Sequence, residues 1–194
     1  MIIPRRSLVA ILVLAGAVLG LGLYVFHLAR SARQMPGQLA DARPVPPPVA
    51  GPATPVVLFV ASDDDARLAK QQVTIALPAA ASDRGREILR ALLASYQEQG
   101  SPHPLAAAAA INDVYVTDNG LAVVDANAAF AEEHRSGILV EELTLASITE
   151  TLAANLPNIA RVKLLIDGKD RATLAGHADL SEPYELAAAA QLVK

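Results

Sequence analysis

The side chains grouped in ways that could do chemistry are few. They are the histidines His27, His103, His134 and His177, the run Asp63-Asp64-Asp65, the pair Glu132-Glu133 beside His134, and Asp125, Thr149 and Thr151 within apolar stretches. The histidines are isolated in sequence, with neither a His-Glu-x-x-His pairing nor any other metal-ligand spacing. Three adjacent aspartates suggest a divalent cation. A calcium loop, however, places its ligands at alternate positions, with a glycine turn and a distal glutamate. None of these is present, so Ser62–Asp65 reads as a solvated turn. Glu132-Glu133-His134 sets a base beside carboxylates, and reads more simply as a solvated helix end. There is no cysteine, which excludes thiolate zinc sites and cysteine nucleophiles. No phosphate-binding loop, dinucleotide fingerprint or Gly-x-Ser-x-Gly elbow occurs. The expectation is therefore no catalytic residue, no metal and no cofactor. Asp125 remains the best polar candidate for a ligand contact, with a strand-end cap as its structural alternative. Thr149 and Thr151 follow, each also able to bond a helix carbonyl or to line a groove between helix and sheet.

The elements that must position these residues are legible as periodicities. Asn112–Thr117 and Leu121–Asp125 are β-rich runs flanking Asn119-Gly120, a dipeptide that accepts positive φ at both positions and so predicts a type I′ hairpin. A helix is expected from Leu139 to Asn155, with Leu145, Ile148 and Leu152 inward, Glu141, Glu142 and Glu150 on the outer side or in the early turns, and Pro157 as its stop. Ala160–Asp167 reads as a strand closed by Gly168, and Arg171–Leu174 as a short return. Upstream, Val56–Ala61 and Gln72–Leu77 read as strands. An intervening helix is capped by Ser82 or Asp83, carries Ile88, Leu89, Leu92, Leu93 and Tyr96 inward, and ends at Gly100. The alanines Ala106–Ala110 could add a helical turn.

Three segments in order carry a resemblance: Val123-Val-Asp-Ala-Asn-Ala-Ala-Phe130, Ser147-Ile-Thr-Glu-Thr-Leu152 and Val162-Lys-Leu-Leu-Ile-Asp-Gly168. Together with the pattern of apolar strand, acidic turn, leucine and strand from Val56 to Leu77, they are similar to the GerMN-type sporulation and spore-germination domain. The resemblance covers residues 56–185, and Asp125 lies in its first motif. It implies a non-catalytic module of the bacterial cell envelope. The loop Gly100-Ser-Pro-His-Pro104 departs from the family pattern.

Charge and the N-terminus bound the setting. Eleven basic and nineteen acidic residues follow position 55, so that part is net about −8 and unsuited to nucleic acid. Leu8–Phe26 is a run of 19 residues without charge, long enough to span a bilayer. It reads as an uncleaved membrane anchor preceded by Arg5 and Arg6. A cleaved signal peptide, with Ala29-Arg30-Ser31 at its cleavage site, is the alternative. Gln34–Pro55 holds seven of thirteen prolines and reads as an extended spacer.

The expected architecture is α+β: a mainly antiparallel sheet with two principal helices packed on one face, preceded by one transmembrane helix. The divisions are an anchor at 1–33, a Pro-rich linker at 34–55, the domain at 56–185 and a tail at 186–194. The expected setting is the cell membrane, single-pass, with the domain extracytoplasmic. The partners would be the membrane through residues 8–26, and an envelope protein or peptidoglycan. A homo-oligomeric platform is the alternative role, and a wall hydrolase, which would need converging carboxylates or a metal, a further one.

Overall fold

The structure, a computed structural model, describes residues 46–193. The apolar run 8–26 and the spacer up to residue 45 lie outside the described residues. Among the described residues, no helix is long and apolar enough to cross a membrane.

Strands β1 (Ala53–Ser62) and β2 (Arg67–Ala76) form an antiparallel hairpin. Helix α1 (Ala81–Gln97) follows, then the hairpin of β3 (Ile111–Val116) and β4 (Leu121–Ala126). A short helix α2 (Ala128–Glu132) and the long helix α3 (Ile138–Asn155) lead to β5 (Arg161–Ile166). Strand β6 (Tyr184–Glu185), helix α4 (Leu186–Ala189) and a 3₁₀ turn at Ala190–Leu192 complete the unit.

The α+β class is as expected, but the sheet is corrected in two respects. There are two sheets, β1-β2 and β3-β4-β5-β6. In the second, β4 and β5 run parallel. The chain between them crosses over through α2 and α3, and a strand regained through a helical crossover returns in the same direction. The helices do not simply share one sheet face. Helix α1 packs against β3 and β1, and α3 against β1, α1 and α4. The predicted stripe Ile88, Leu89, Leu92, Leu93 and Tyr96 is buried, as are Leu145, Ile148 and Leu152.

Alternate residues of β1 turn their backbone groups away from β2, toward α3. Val57 and Phe59 donate their amides to Asn155 Oδ1 (3.0 Å) and Thr151 Oγ1 (2.9 Å). Asn155 Nδ2 donates to the Val57 carbonyl (2.7 Å), and Ser147 Oγ to that of Phe59 (2.6 Å). Tyr96 of α1 accepts the Ala61 amide (2.9 Å) and meets Ser147 Oγ. Ser147, Thr151 and Asn155 are four apart, so one helix face presents them in a row. Pro55 shares the parity of Val57, so its missing donor falls on this edge, where a strand tolerates proline.

Several local expectations are revised. Residues 46–52, read as spacer, lie against α1: Arg90 donates to the Pro46 carbonyl (2.7 Å) and the Val49 amide to Glu87 (3.2 Å). Ala53–Pro55 belong to β1. Neither Ser82 nor Asp83 caps α1. Its N-cap is Ala80, without a side-chain bond, while Ser82 Oγ is occupied by the Val116 amide and Asp83 by Arg86. Ala106–Ala110 form a turn rather than a helical extension. The Arg171–Leu174 return is reduced to single bridges.

The type I′ turn is at a different place. At Asp118-Asn119-Gly120 only Gly120 has positive φ (+80°), and its amide bonds back to Thr117. This is a three-residue loop with a left-handed glycine bulge. At Asp167-Gly168 both residues have positive φ (51° and 71°), and Ile166 and Lys169 exchange both backbone bonds. That is the two-residue I′ pattern.

Two predictions follow from these contacts. A Cβ on Gly120 would stand 2.6 Å from the Asn158 carbonyl oxygen at a left-handed φ. Gly120→Val is expected to lose at least about 2 kcal/mol in urea unfolding, and parental stability would refute this geometry. Thr151→Val leaves the buried Phe59 amide without its acceptor, at about 1–3 kcal/mol. Thr149→Val removes only a bond back to the Leu145 carbonyl (2.8 Å) and is expected to cost less than about 1 kcal/mol. Equal losses in the two variants would refute the pairing of α3 with β1.

Candidate functional site

The three residues named from sequence are all buried. Asp125 is the penultimate residue of β4, and its Oδ1 accepts the Gly168 amide at 2.7 Å, holding the Asp167-Gly168 turn against the strand end. Thr151 accepts the Phe59 amide, and Thr149 bonds within its own helix. The structure does not bring the three together: their bonds go to separate backbone segments.

It does bring together histidines that the sequence separates. His103 is fully buried, its Nδ1 2.6 Å from Asp63 Oδ1 and its Nε2 2.7 Å from Thr144 Oγ1. His134 Nε2 lies 2.8 Å from the same hydroxyl, and its Nδ1 bonds the Arg135 carbonyl (2.8 Å). Arg135 pairs with the other oxygen of Asp63. The histidines are thus not isolated, and His134 is not part of a solvated helix end. Nor is Asp63 a solvated turn residue, although Asp64 and Asp65 are exposed. The missed signal was the odd loop Gly100–Pro104, which carries His103 under the β1-β2 turn. The Asp63 amide donates to the Pro102 carbonyl there (3.0 Å).

Aspartate, imidazole and threonine at these distances have the order of a nucleophile, its base and an orienting acid. Burial decides against that use. Thr144 is 1% exposed, and its hydroxyl also bonds the Val140 carbonyl (3.1 Å) within α3. Desolvation pushes both imidazoles below their ordinary pKa, outweighing the pull of Asp63 on His103. On Asp63, burial pushes up, but the bonds from His103 and Arg135 prevail and lower it. With both imidazoles neutral, each Nδ1 faces a group that only accepts and so carries the hydrogen. Both Nε2 atoms and the Val140 carbonyl then face one hydroxyl proton. The cluster clamps the β1-β2 turn, the 100–104 loop and α3, with fewer donors than acceptors at the Thr144 hydroxyl.

Glu141 forms a second buried hub: it sits in the first turn of α3, one of the two places expected of it, but faces inward rather than solvent. Its carboxylate accepts the amides of Gly137 (3.0 Å), Ala175 (3.0 Å), His177 (2.9 Å) and Ala178 (2.8 Å), and meets His177 Nδ1 at 3.0 Å. Burial alone would raise its pKa. The amides overcome that and hold it at about 2.

This hub sets the wall of an open cleft of about 230 Å³. One side is the α3 face of Ile138, Glu142 and Leu145. The other is His177, Ala178, Asp179 and Tyr184. Burial, with the charge of Glu142 adding to it, pushes the Tyr184 phenol up to about 12. No cluster of acidic and histidine side chains among the described residues could hold a metal.

These features define an α+β module with a sealed polar interior and an open, acid-rimmed cleft. Over residues 57–172 the sequence matches the family Germane, sporulation and spore germination, and the chain belongs to that family. No curated protein matches it. The tandem GerMN domains of the sporulation protein GerM from Bacillus subtilis share the fold, with a TM-score of 0.51 at 21% identity over 69% of this chain and 46% of that one. The first GerMN domain of that protein gives a TM-score of 0.47 at 20% identity, covering 68% of this chain and 97% of its own. A candidate lipoprotein from Clostridium perfringens gives 0.48 at 18% identity, covering 73% and 93%.

Glu141 yields a pH prediction. Its folded pKa, about 2, lies below the ordinary 4.5. The stability it contributes is therefore complete above pH 4.5 and is lost as pH falls through 2. That contribution is on the order of 3 kcal/mol. In urea unfolding, the difference between the parent and Glu141→Gln is expected to be large at pH 7 and to shrink toward pH 2. A difference independent of pH would refute the assignment.

Proposed function

We propose that this domain is a non-catalytic binding module of the bacterial cell envelope, held outside the cytoplasmic membrane by residues 8–26. The observation that carries the reading is the sealing of Thr144. The hydroxyl most nearly arranged as a nucleophile is buried beneath His103 and His134 and lines neither the cleft beside α3 nor the groove beneath Pro48 and Val49. Membership of a sporulation and germination family supports an envelope setting. The anchor reading rests on the uncharged run of 19 residues. The part after residue 55 carries 19 acidic against 11 basic residues, which speaks against recognition by a basic stripe.

The test uses the full chain in detergent with purified peptidoglycan and with cross-linked envelope extracts. Retention on wall material, or a specific cross-linked protein, is expected without release of soluble wall fragments. Release that disappears in Thr144→Val, with the variant still folded, would overturn the non-catalytic reading. Protease added outside intact cells is expected to digest the domain, and protection would overturn its placement.

A further inference from the structure

We propose that the cleft between α3 and the 177–184 segment receives a lysine side chain presented beside apolar residues by a partner protein. The proposal rests on the binding-module reading and names the partner chemistry for it.

The cleft has two walls and a carboxylate on each. Ile138, Glu142 and Leu145 follow one another at helical spacing along α3, so their side chains form one wall. Asp179 stands on the other with His177, Ala178 and Tyr184. Among the described residues Glu142 makes no ion pair or hydrogen bond, whereas the Asp179 carboxylate accepts from Ser181 and also feels the charge of Lys163. The nearest lysine, Lys163, is committed to Asp170 and to the Leu180 and Ser181 carbonyls. Glu142 thus lines the opening with no cation of its own, and a cation from outside would complement it, with Asp179 adding negative charge on the opposite rim.

The apolar parts specify what carries that cation. Ile138 and Leu139 are 70% and 40% exposed, two of only three large apolar side chains exposed among the described residues, and Ile138 lines the cleft. Ile138, Leu145, Ala178 and the Tyr184 ring offer apolar surface along the way to the carboxylates. A straight aliphatic stem ending in an ammonium fits that sequence of surfaces, because lysine buries its methylenes while its head reaches charge. The apolar mouth favours a protein surface over a polar wall peptide. Rigid walls make such capture inexpensive, and Glu141 supplies the rigidity by gripping Gly137 on one wall and His177 and Ala178 on the other.

The experiment is an NMR titration of the ¹⁵N-labelled full chain in detergent micelles. The probes are a peptide alternating leucine and lysine, the same peptide with norleucine for lysine, and a soluble wall peptide bearing a free amine. The lysine peptide is expected to shift the amides of Glu142, His177, Ala178 and Asp179 saturably. The norleucine peptide should bind at least about tenfold more weakly, and the advantage of lysine should fade with salt. Glu142→Gln with Asp179→Asn should abolish the difference at an unchanged melting temperature. Equal binding of the two peptides, no saturable shift, or binding of the wall peptide alone would overturn the proposal. Should the double variant still be retained by wall or partner as the parent is, the cleft proposal fails and the binding-module reading stands. Should the parent itself be retained by neither, that reading fails.

Discussion

The structure depends on how the free edge of β1 is satisfied. A strand edge exposes a row of backbone donors and acceptors, and burying them unpaired costs about 1–3 kcal/mol each. In this domain a helix, not a strand, supplies the partners. Ser147, Thr151 and Asn155 of α3 and Tyr96 of α1 meet Val57, Phe59 and Ala61. The bonds run with consistent direction: Ser147 gives its proton to the Phe59 carbonyl, which leaves Tyr96 to give its own to Ser147. Because the polar row is in register with the strand, α3 can slide neither along β1 nor roll on it without orphaning several groups at once. The relation of hairpin to helices is thereby fixed by hydrogen bonds, while the apolar core supplies the bulk of the burial.

The same economy recurs at both ends of α3. Near its start, Glu141 gathers four amides from its own N-terminus and from the 175–178 loop. At mid-helix, Thr144 joins the two imidazoles and, through His103 and Asp63, the tip of the first hairpin. Polar residues that a surface-helix pattern would place in solvent are fully inside, with Glu141, Ser147, Thr149 and Thr151 all at 0% exposure. Inward polarity of this kind is stabilising only when every group is met. In the His103–Thr144–His134 cluster the donors fall short of the acceptors, and its two buried imidazoles make it sensitive to acid. With both imidazole pKa values depressed by burial, protonation on falling below the unfolded value of about 6.5 acts against the fold.

What the sequence disclosed follows the distinction between short-range and long-range physics. The apolar stripes of both long helices, the hairpin strands and the stop at Pro157 were legible because spacing and φ restriction act within a few residues. Leu156, pushed extended by the following proline, is an instance. The ordered motifs from Val123 to Gly168 marked the family. Convergence was not legible. His103 and His134 lie 31 positions apart in the chain, and nothing local brings them to Thr144. The position of the I′ turn was misread for a related reason. Asn119-Gly120 and Asp167-Gly168 are equally good dipeptides, and loop length decided between them. Thr117 closes a longer loop over the first, whereas Ile166 and Lys169 pair directly across the second.

A helix polar on the inside has little left to offer outside. Along α3, the side facing β1 is taken by the edge partners and most of the middle by core, so the large apolar side chains left open lie in the first turn. There Ile138, Leu139 and Glu142 stand free beside a loop that Glu141 has already fixed in place. The residue that rigidifies the loop and the residue that presents a free carboxylate are adjacent in sequence, and helical rotation of about 100° per residue sends them to opposite tasks. Buried Glu141 and open Glu142 therefore belong to one device: the first spends its charge on backbone amides so that the second can hold its charge in a cleft of constant shape. This division is why the proposed contact is assigned to the cleft and not to the buried constellation of histidines.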